Sequence, residues 1–446
     1  MRISWLELPE LIEHELRQRN EEGTDVSSLR EEWDRIKSSS ESESVVRKLS
    51  QSLYAKIDGA APSVNNIQNE PSDWNTIVST AGINAGTSPV AVDASIEDKI
   101  LGGWLGRSSG CMLGKPIEKI NRAGIRELLS SNNTWPITNY VSGKNIPDHL
   151  LKKYPWNRHY GKESLLENIV CMPEDDDMNY PMLNLTAVER YGRDVTSEQI
   201  IQTWLDLAPV LSTFTAERIA YRNRLNGILP PESGSIGNPY REWIGAQIRA
   251  DLWGWIAPSQ PALAAELAWR DASVSHVRNG MYGEMFFAAA ISSAFDHSDI
   301  RSVITEALTV IPPNSRFADA IRFVLAMPIH DQSWEATVDS LYERFGHYHW
   351  VHTINNAALA SAALLSSNGV FETAICNVVM GGWDTDSNGA TVGSVIGTMN
   401  GAKALPEKWI APLHDTIRSS VKGFDHSSLS SLAQRTINIA KTTSSH

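Results

Sequence analysis

LGGWLGRSSGCMLG (101–114) and GATVGSVIGTMNG (389–401) are the stretches whose reading decides the fold. Gly102, Gly106, Gly110 and Gly114 recur every fourth residue in the first, and Gly389, Gly393, Gly397 and Gly401 in the second. Their other residues suit a helix. Each glycine inside a helix costs about 1 kcal/mol relative to alanine, so each ladder needs an offsetting gain that a methyl group would block. Close backbone approach supplies it, either helix to helix or helix to substrate. Taken alone, the glycines fit tight packing at the centre of a helical domain. The same spacing marks packing faces of membrane helices, but Arg107, the serines and Asn400 make these segments too polar and too short to span.

Working outward, apolar residues at intervals of three and four predict helices over 96–114, 184–191, 197–211, 241–256, 261–275, 281–296, 316–327, 335–345, 355–366, 371–380 and 388–402. Few stretches alternate as strands do. Irregular loops are expected at 115–180 and 222–240, the second carrying GILPPESGSIGNP. The fold class is therefore all-α. Residues 1 to about 55 also read as helix, and 58–93 turn to Gly, Ser, Asn and Pro. The expected division is an N-terminal helical extension and linker over 1–93 and an all-α domain over 94–446.

The chain has 446 residues, 42% hydrophobic and 20% charged, enough to bury a sizeable core, and a net charge of −13. That balance argues against nucleic-acid or anionic-membrane partners, which need a basic surface. Cys111, Cys171 and Cys376 are too few and too scattered for a disulfide framework or a Cys-based zinc site, which fits a reducing cytoplasm. The N-terminal MRISWLELPELIEHEL lacks the pattern of a signal peptide, and no apolar window is long enough to span a bilayer.

Chemistry concentrates in two acidic stretches. MPEDDDMNYPML (172–183) places Glu174, Asp175, Asp176 and Asp177 in a row, with no basic residue in sequence nearer than Lys162 or Arg190. A solvated loop or a helix N-terminus would tolerate them. The flanking Met172, Met178, Tyr180, Pro181 and Met182 instead suggest partial burial, where adjacent charges need a cation. GGWDTDSNGATVGSVIG (381–397) supplies Asp384, Asp386 and Ser387 at the expected start of the second glycine helix. Carboxylates with a hydroxyl suit Mg²⁺ or Mn²⁺ better than zinc. A calcium-loop reading fails because Val395 stands where the bidentate acid is needed. Glu118, in LGKPIE (113–118), follows the turn set by Pro116 and could reach the same site.

The order of these motifs, closed by LPEKW (405–409), resembles the ADP-ribosylglycohydrolase family from about Ile96 to Trp409, with no part of residues 1–93 included. The resemblance implies a compact orthogonal all-α fold holding two divalent ions, Mg²⁺ or Mn²⁺, in a cleft. It also implies hydrolysis of an N- or O-glycosidic bond to ribose in an ADP-ribosyl adduct. Carried across, the family's Thr-Asp-Asp-Thr motif falls on Asp175, Asp176, Asp177 and Met178, and its Asp-x-Asp-Thr motif on Asp384, Asp386 and Ser387. Its flap glutamate falls on Glu118 and its histidine on His276. Asp176 or Asp177 would be the catalytic carboxylate, and His276, Gly237, Asn238 and Trp383 would face the substrate.

The sequence departs from that pattern in several places. Asp175 replaces a threonine, Met178 removes a hydroxyl, Trp383 replaces a glycine, and only Gly237 and Asn238 survive of a Gly-Asn-Gly segment on the adenosine side. These changes keep two alternatives open: hydrolysis of a small nucleoside or ribosyl metabolite, and a non-catalytic relative that binds ADP-ribose. No protein partner is indicated. His347, His349 and His352 in HYHWVH are expected to pack near the cleft mouth, and Trp383, Tyr282 and Trp350 are candidates to stack on a base.

Overall fold

The computed structural model describes residues 3–60, 68–84 and 90–442. The first glycine helix, Ala94–Gly114, starts at Asp93, whose carboxylate accepts from the Ser95 and Ile96 amides at 2.9 and 3.0 Å. The second, Thr385–Asn400, lies directly on it, running the opposite way. A Cβ built on Gly102, Gly106 or Gly110 would come within 2.2, 2.2 and 1.9 Å of the carbonyl oxygens of Gly397, Gly393 and Gly389. The approach is therefore helix to helix, backbone against backbone, and alanine at these positions would collide with main chain. Gly401 differs from the rest of its ladder, because its φ of +79° ends the second helix.

The antiparallel pairing fixes what meets at each end. The C-terminus of the first helix abuts the N-terminus of the second, where Thr385 Oγ1 donates to the Gly114 carbonyl at 2.8 Å. Around this pair pack helices buried on every side, Asn279–Ser293 and Thr353–Ser367, whose small residues permit close contact. Among the described residues there is no strand, only isolated bridges such as Met172 with Ile417 and Trp243 with His352. Among the same residues no helix is long and apolar enough to cross a membrane.

Several expected boundaries move. The 241–256 helix is reduced to a turn at Gln247–Arg249 and one short helix, Asp251–Trp255. The reason is tertiary: the Ile244 amide donates to the Val351 carbonyl at 2.9 Å, and Arg241 and Glu242 are drawn into buried ion pairs. The expected loop at 115–180 contains helices Arg122–Ser130 and Asp148–Lys153. The helix expected at 184–191 begins at Asp176 and includes Pro181, and the helix Thr215–Leu225 enters the expected loop at 222–240.

The N-terminal extension forms three helices, Leu8–Glu21, Ser27–Lys37 and Glu43–Asp58, around a small core of its own that includes Ile12, Leu16, Trp33 and Leu53. It is tied to the rest by buried charge. Arg241 pairs with Glu15 at 2.8 Å and Glu22 at 2.7 Å, and Arg316 pairs with Glu70 and Glu242, both at 2.8 Å. Breaking one partner of such a network leaves a buried charge uncompensated, which specifies one docking geometry. Within the expected irregular linker, Trp74–Ala81 is helical and capped by Asp73. Its stretches 61–67 and 85–89 lie outside the described residues.

Candidate active site

Because the glycine helices run antiparallel, Glu118, just past the end of the first, meets Asp384 and Asp386 at the start of the second. An oxygen of each lies within 4.8 Å of the others. Asp384 and Asp386 are 6% and 5% exposed, and Asp176 opens on the same cleft. Glu118 is held by the Asn157 amide and by Lys119 Nζ at 3.2 Å. Asp384 and Asp386 have no basic side chain in contact among the described residues. Burial, then the charge of Glu118, pushes Asp386 up to about 8. Burial followed by Asp386 raises Asp384 well above the usual carboxylate range, and burial followed by Asp175 and Asp386 does the same for Asp176.

The other half of the acidic run has donors from the chain, which offset the charge of Asp175, while burial and then Asp175 still raise Asp177 well above the usual carboxylate range. Pro181 has no N–H, so the Asp177 carbonyl four residues earlier lacks its helical donor. Arg107, from the first glycine helix, fills that place, donating to the Asp177 carbonyl through Nε at 3.0 Å and Nη2 at 2.5 Å. It also donates to Asp251 at 2.6 Å and faces the Asp177 carboxylate at 3.4 Å. Lys115 ion-pairs with Asp175, which also accepts from the Asp177 amide at 2.9 Å as the helix cap. Burial works against both charges of that pair, yet Asp175 is held below and Lys115 above its ordinary value by the other. Ser387 Oγ donates to Asp177 at 3.0 Å. The absence of a nearby base in sequence is thus corrected by folding: the bases arrive from sixty or more residues away.

A rim of rings borders the acidic floor: Trp5, Phe214, Trp243, His349 and Trp350. His349 stacks on Trp243 with centroids 4.2 Å apart, and Trp5 meets Trp243 edge-on at 6.4 Å. His352 instead caps the helix at Thr353, accepting from the Ile354 amide. The expected substrate-facing residues lie off the cleft lining. His276 is buried with Nδ1 2.8 Å from Ser275 Oγ. Asn238 donates to the Gly234 and Ser275 carbonyls, and Gly237 sits in the same turn at φ +58°. Trp383 stacks on Tyr342 at 4.3 Å, and the Tyr282 hydroxyl donates to the Pro71 carbonyl.

Sequence reasoning missed Lys115, Arg107, Asn157 and Trp5. Lys115 stands in plain view beside Glu118 in LGKPIE, whereas nothing local marks Trp5 as a cleft residue.

One solved structure, described as an ADP-ribosylglycohydrolase-related protein complex, is 18% identical, with 78% of this chain and 99% of that chain covered and a TM-score of 0.48. No curated protein matches. The family model for ADP-ribosylglycohydrolase matches residues 92–444. With the match extending over most of its length, the chain belongs to the ADP-ribosylglycohydrolase family.

Proposed function

We propose that this glycosidic hydrolase depends on a divalent metal and cleaves an N- or O-glycosidic bond to ribose in an ADP-ribosyl adduct. The observation that carries the reading is the convergence of half-buried Glu118 with buried Asp384 and Asp386 in a cleft, with too little protein cation to balance them. Buried like charges at this spacing are costly unless protonated or bound to a cation, and an all-oxygen donor set fits Mg²⁺ or Mn²⁺. A divalent ion held there would polarise ribose hydroxyls and lower the pKa of a bound water.

The chain's own groups divide the remaining work. Asn157 and Lys119 orient Glu118. Asp177 is a positioning residue, its carboxylate engaged by Arg107 and Ser387. Asp176 has no hydrogen-bond partner on its side chain among the described residues and lines the cleft, which favours it as the general acid or base, a role worth about 10²–10⁴-fold in rate. The ring-lined rim supports a flat base as the far end of the substrate.

The test is release of free ADP-ribose from an ADP-ribosylated protein, followed by chromatography with Mn²⁺ or Mg²⁺ and with EDTA. Turnover should require metal and vanish in Asp384→Asn. Undiminished turnover in EDTA would refute the reading. A second reading, hydrolysis of a nucleoside or small ribosyl metabolite, is favoured by the cleft volume of about 110 Å³, small beside the roughly 300–1,000 Å³ usual for larger ligands. Release of ribose from nucleosides, with ADP-ribosyl substrates inert, would select it. Tight ADP-ribose binding without any turnover would mark a non-catalytic relative.

A further inference from the structure

We infer that the Lys115 ammonium group takes the place of one cation in this site, so that the chain binds a single divalent ion, at Glu118, Asp384 and Asp386, rather than a pair. The inference rests on the metal-dependent reading above and narrows it.

Among the described residues, two groups of three side chains have ligand atoms close enough to share an ion: Glu118 with Asp384 and Asp386, and Cys111 with Asp175 and Asp177. They differ in what already occupies their lone pairs. In the second group, Asp175 Oδ1 accepts from the Asp177 amide and Oδ2 from Lys115 Nζ. Asp177 Oδ1 faces Arg107 Nη2, and Oδ2 accepts from Ser387. Every carboxylate oxygen of that group therefore has a donor, and its remaining member is a fully buried thiol rather than a hard oxygen ligand. In the first group, only Glu118 touches a basic side chain.

Lys115 cannot easily withdraw. Its side chain is 3% exposed, and Asp175 is its only ion-pair partner among the described residues. The preceding Gly114 is wedged against Thr385, with a Cβ there only 2.1 Å from the Thr385 carbonyl oxygen, and Pro116 restricts the backbone after it. A second ion between Asp175 and Asp177 would have to push the ammonium off its one ion-pair partner towards the cleft lined by Glu118, Asp384 and Asp386, breaking a buried pair to do so. The lysine delivers a single positive charge to the same acidic floor without needing a vacant coordination shell.

The experiment is equilibrium dialysis of the full chain, stripped with EDTA, against Mn²⁺, with bound metal counted by mass spectrometry and its electron paramagnetic resonance recorded. Wild type should hold one Mn²⁺ per chain with the hyperfine pattern of an isolated ion. Lys115→Met should hold two with a spin-coupled signal, and Lys115→Arg should remain at one. Two ions in wild type, or one ion in a folded Lys115→Met, would overturn the inference and leave metal dependence standing. No bound Mn²⁺ in wild type would overturn both. Should Lys115→Met fail to fold, the wild-type spectrum decides: an isolated ion supports the inference and a coupled pair overturns it.

Discussion

A methyl group on Gly110 would test the seam between the glycine helices and, through it, the site. The new Cβ would lie 1.9 Å from the Gly389 carbonyl oxygen and 2.4 Å from its carbon. Ordinary contact needs about 3.5 Å, so the helices must part by more than roughly 1 Å. Helix propensity alone would make Gly110→Ala more stable by about 1 kcal/mol. Overpacking opposes it by about 1–3 kcal/mol, and here the obstacle is main chain that cannot rotate away, which places the cost at the upper end. The expected net loss is about 1–2 kcal/mol, measured from urea unfolding followed by far-UV circular dichroism. Gly110 lies two helical turns before Glu118, so the same separation shifts Glu118 relative to Asp386, and a displacement near 1 Å can cost about 10²-fold in turnover. Gly59→Ala is the control, since its Cβ would meet only backbone of its own helix, Ala55 O at 3.3 Å being the nearest atom, and its φ is an ordinary −77°. Gly110→Ala at or above wild-type stability would refute the backbone-to-backbone account.

Asp386→Asn should leave the EDTA-treated protein as stable as wild type or more so, because one of a set of repelling buried carboxylates is gone, while abolishing the rise in melting temperature on adding Mn²⁺; a preserved rise counts against the site. In metal-free protein, wild type should lose stability relative to Asp386→Asn as pH increases. Asp386 is raised to about 8, so between the unfolded value near 4 and about 8 the folded chain holds a proton that the unfolded chain has released. The slope of that difference approaches about 1.4 kcal/mol per pH unit for one proton, with the full contribution present below pH 4; a flat difference over that window would contradict the assignment. Mn²⁺ affinity should move the other way and strengthen with pH, since ligation requires the carboxylate form. Trp5→Ala should raise KM by roughly 3- to 10-fold with kcat nearly unchanged, as expected for loss of one ring contact of about 1 kcal/mol; a fall in kcat alone would place Trp5 outside substrate binding.

The glycine spacing carries the fold because it is a cost that only one kind of geometry offsets. Four-residue periodicity in both ladders names the face of each helix, and pairing of those faces brings Glu118, just past the end of one helix, to the acidic start of the other. Segment 241–256 misleads for the opposite reason. Its residues are compatible with a helix, and nothing local reveals that Arg241 is bound by Glu15 and Glu22, or that the Ile244 amide is taken by Val351. Local pattern yields to long-range pairing wherever buried charge must find a partner.

The same physics limits what spacing says about the site. Glu118, Asp384 and Asp386 are legible because each adjoins a glycine ladder, so the helix pairing itself places them together. Pairing of Asp175 and Asp177 with bases is not legible, since distance along the chain does not measure distance in the fold: Arg107 and Lys115 follow the ladder glycines Gly106 and Gly114, yet they reach the acidic helix rather than the second glycine helix on which those glycines pack. Even Pro181, which precedes the helix expected at 184–191, lies inside one because Arg107 supplies the donors that its missing N–H withholds from the Asp177 carbonyl. A glycine ladder interrupted by an arginine and ended by a lysine is thus more than a packing device. It brings fixed positive charge to an acidic centre, and on the single-ion proposal that charge stands in for one of two metal ions.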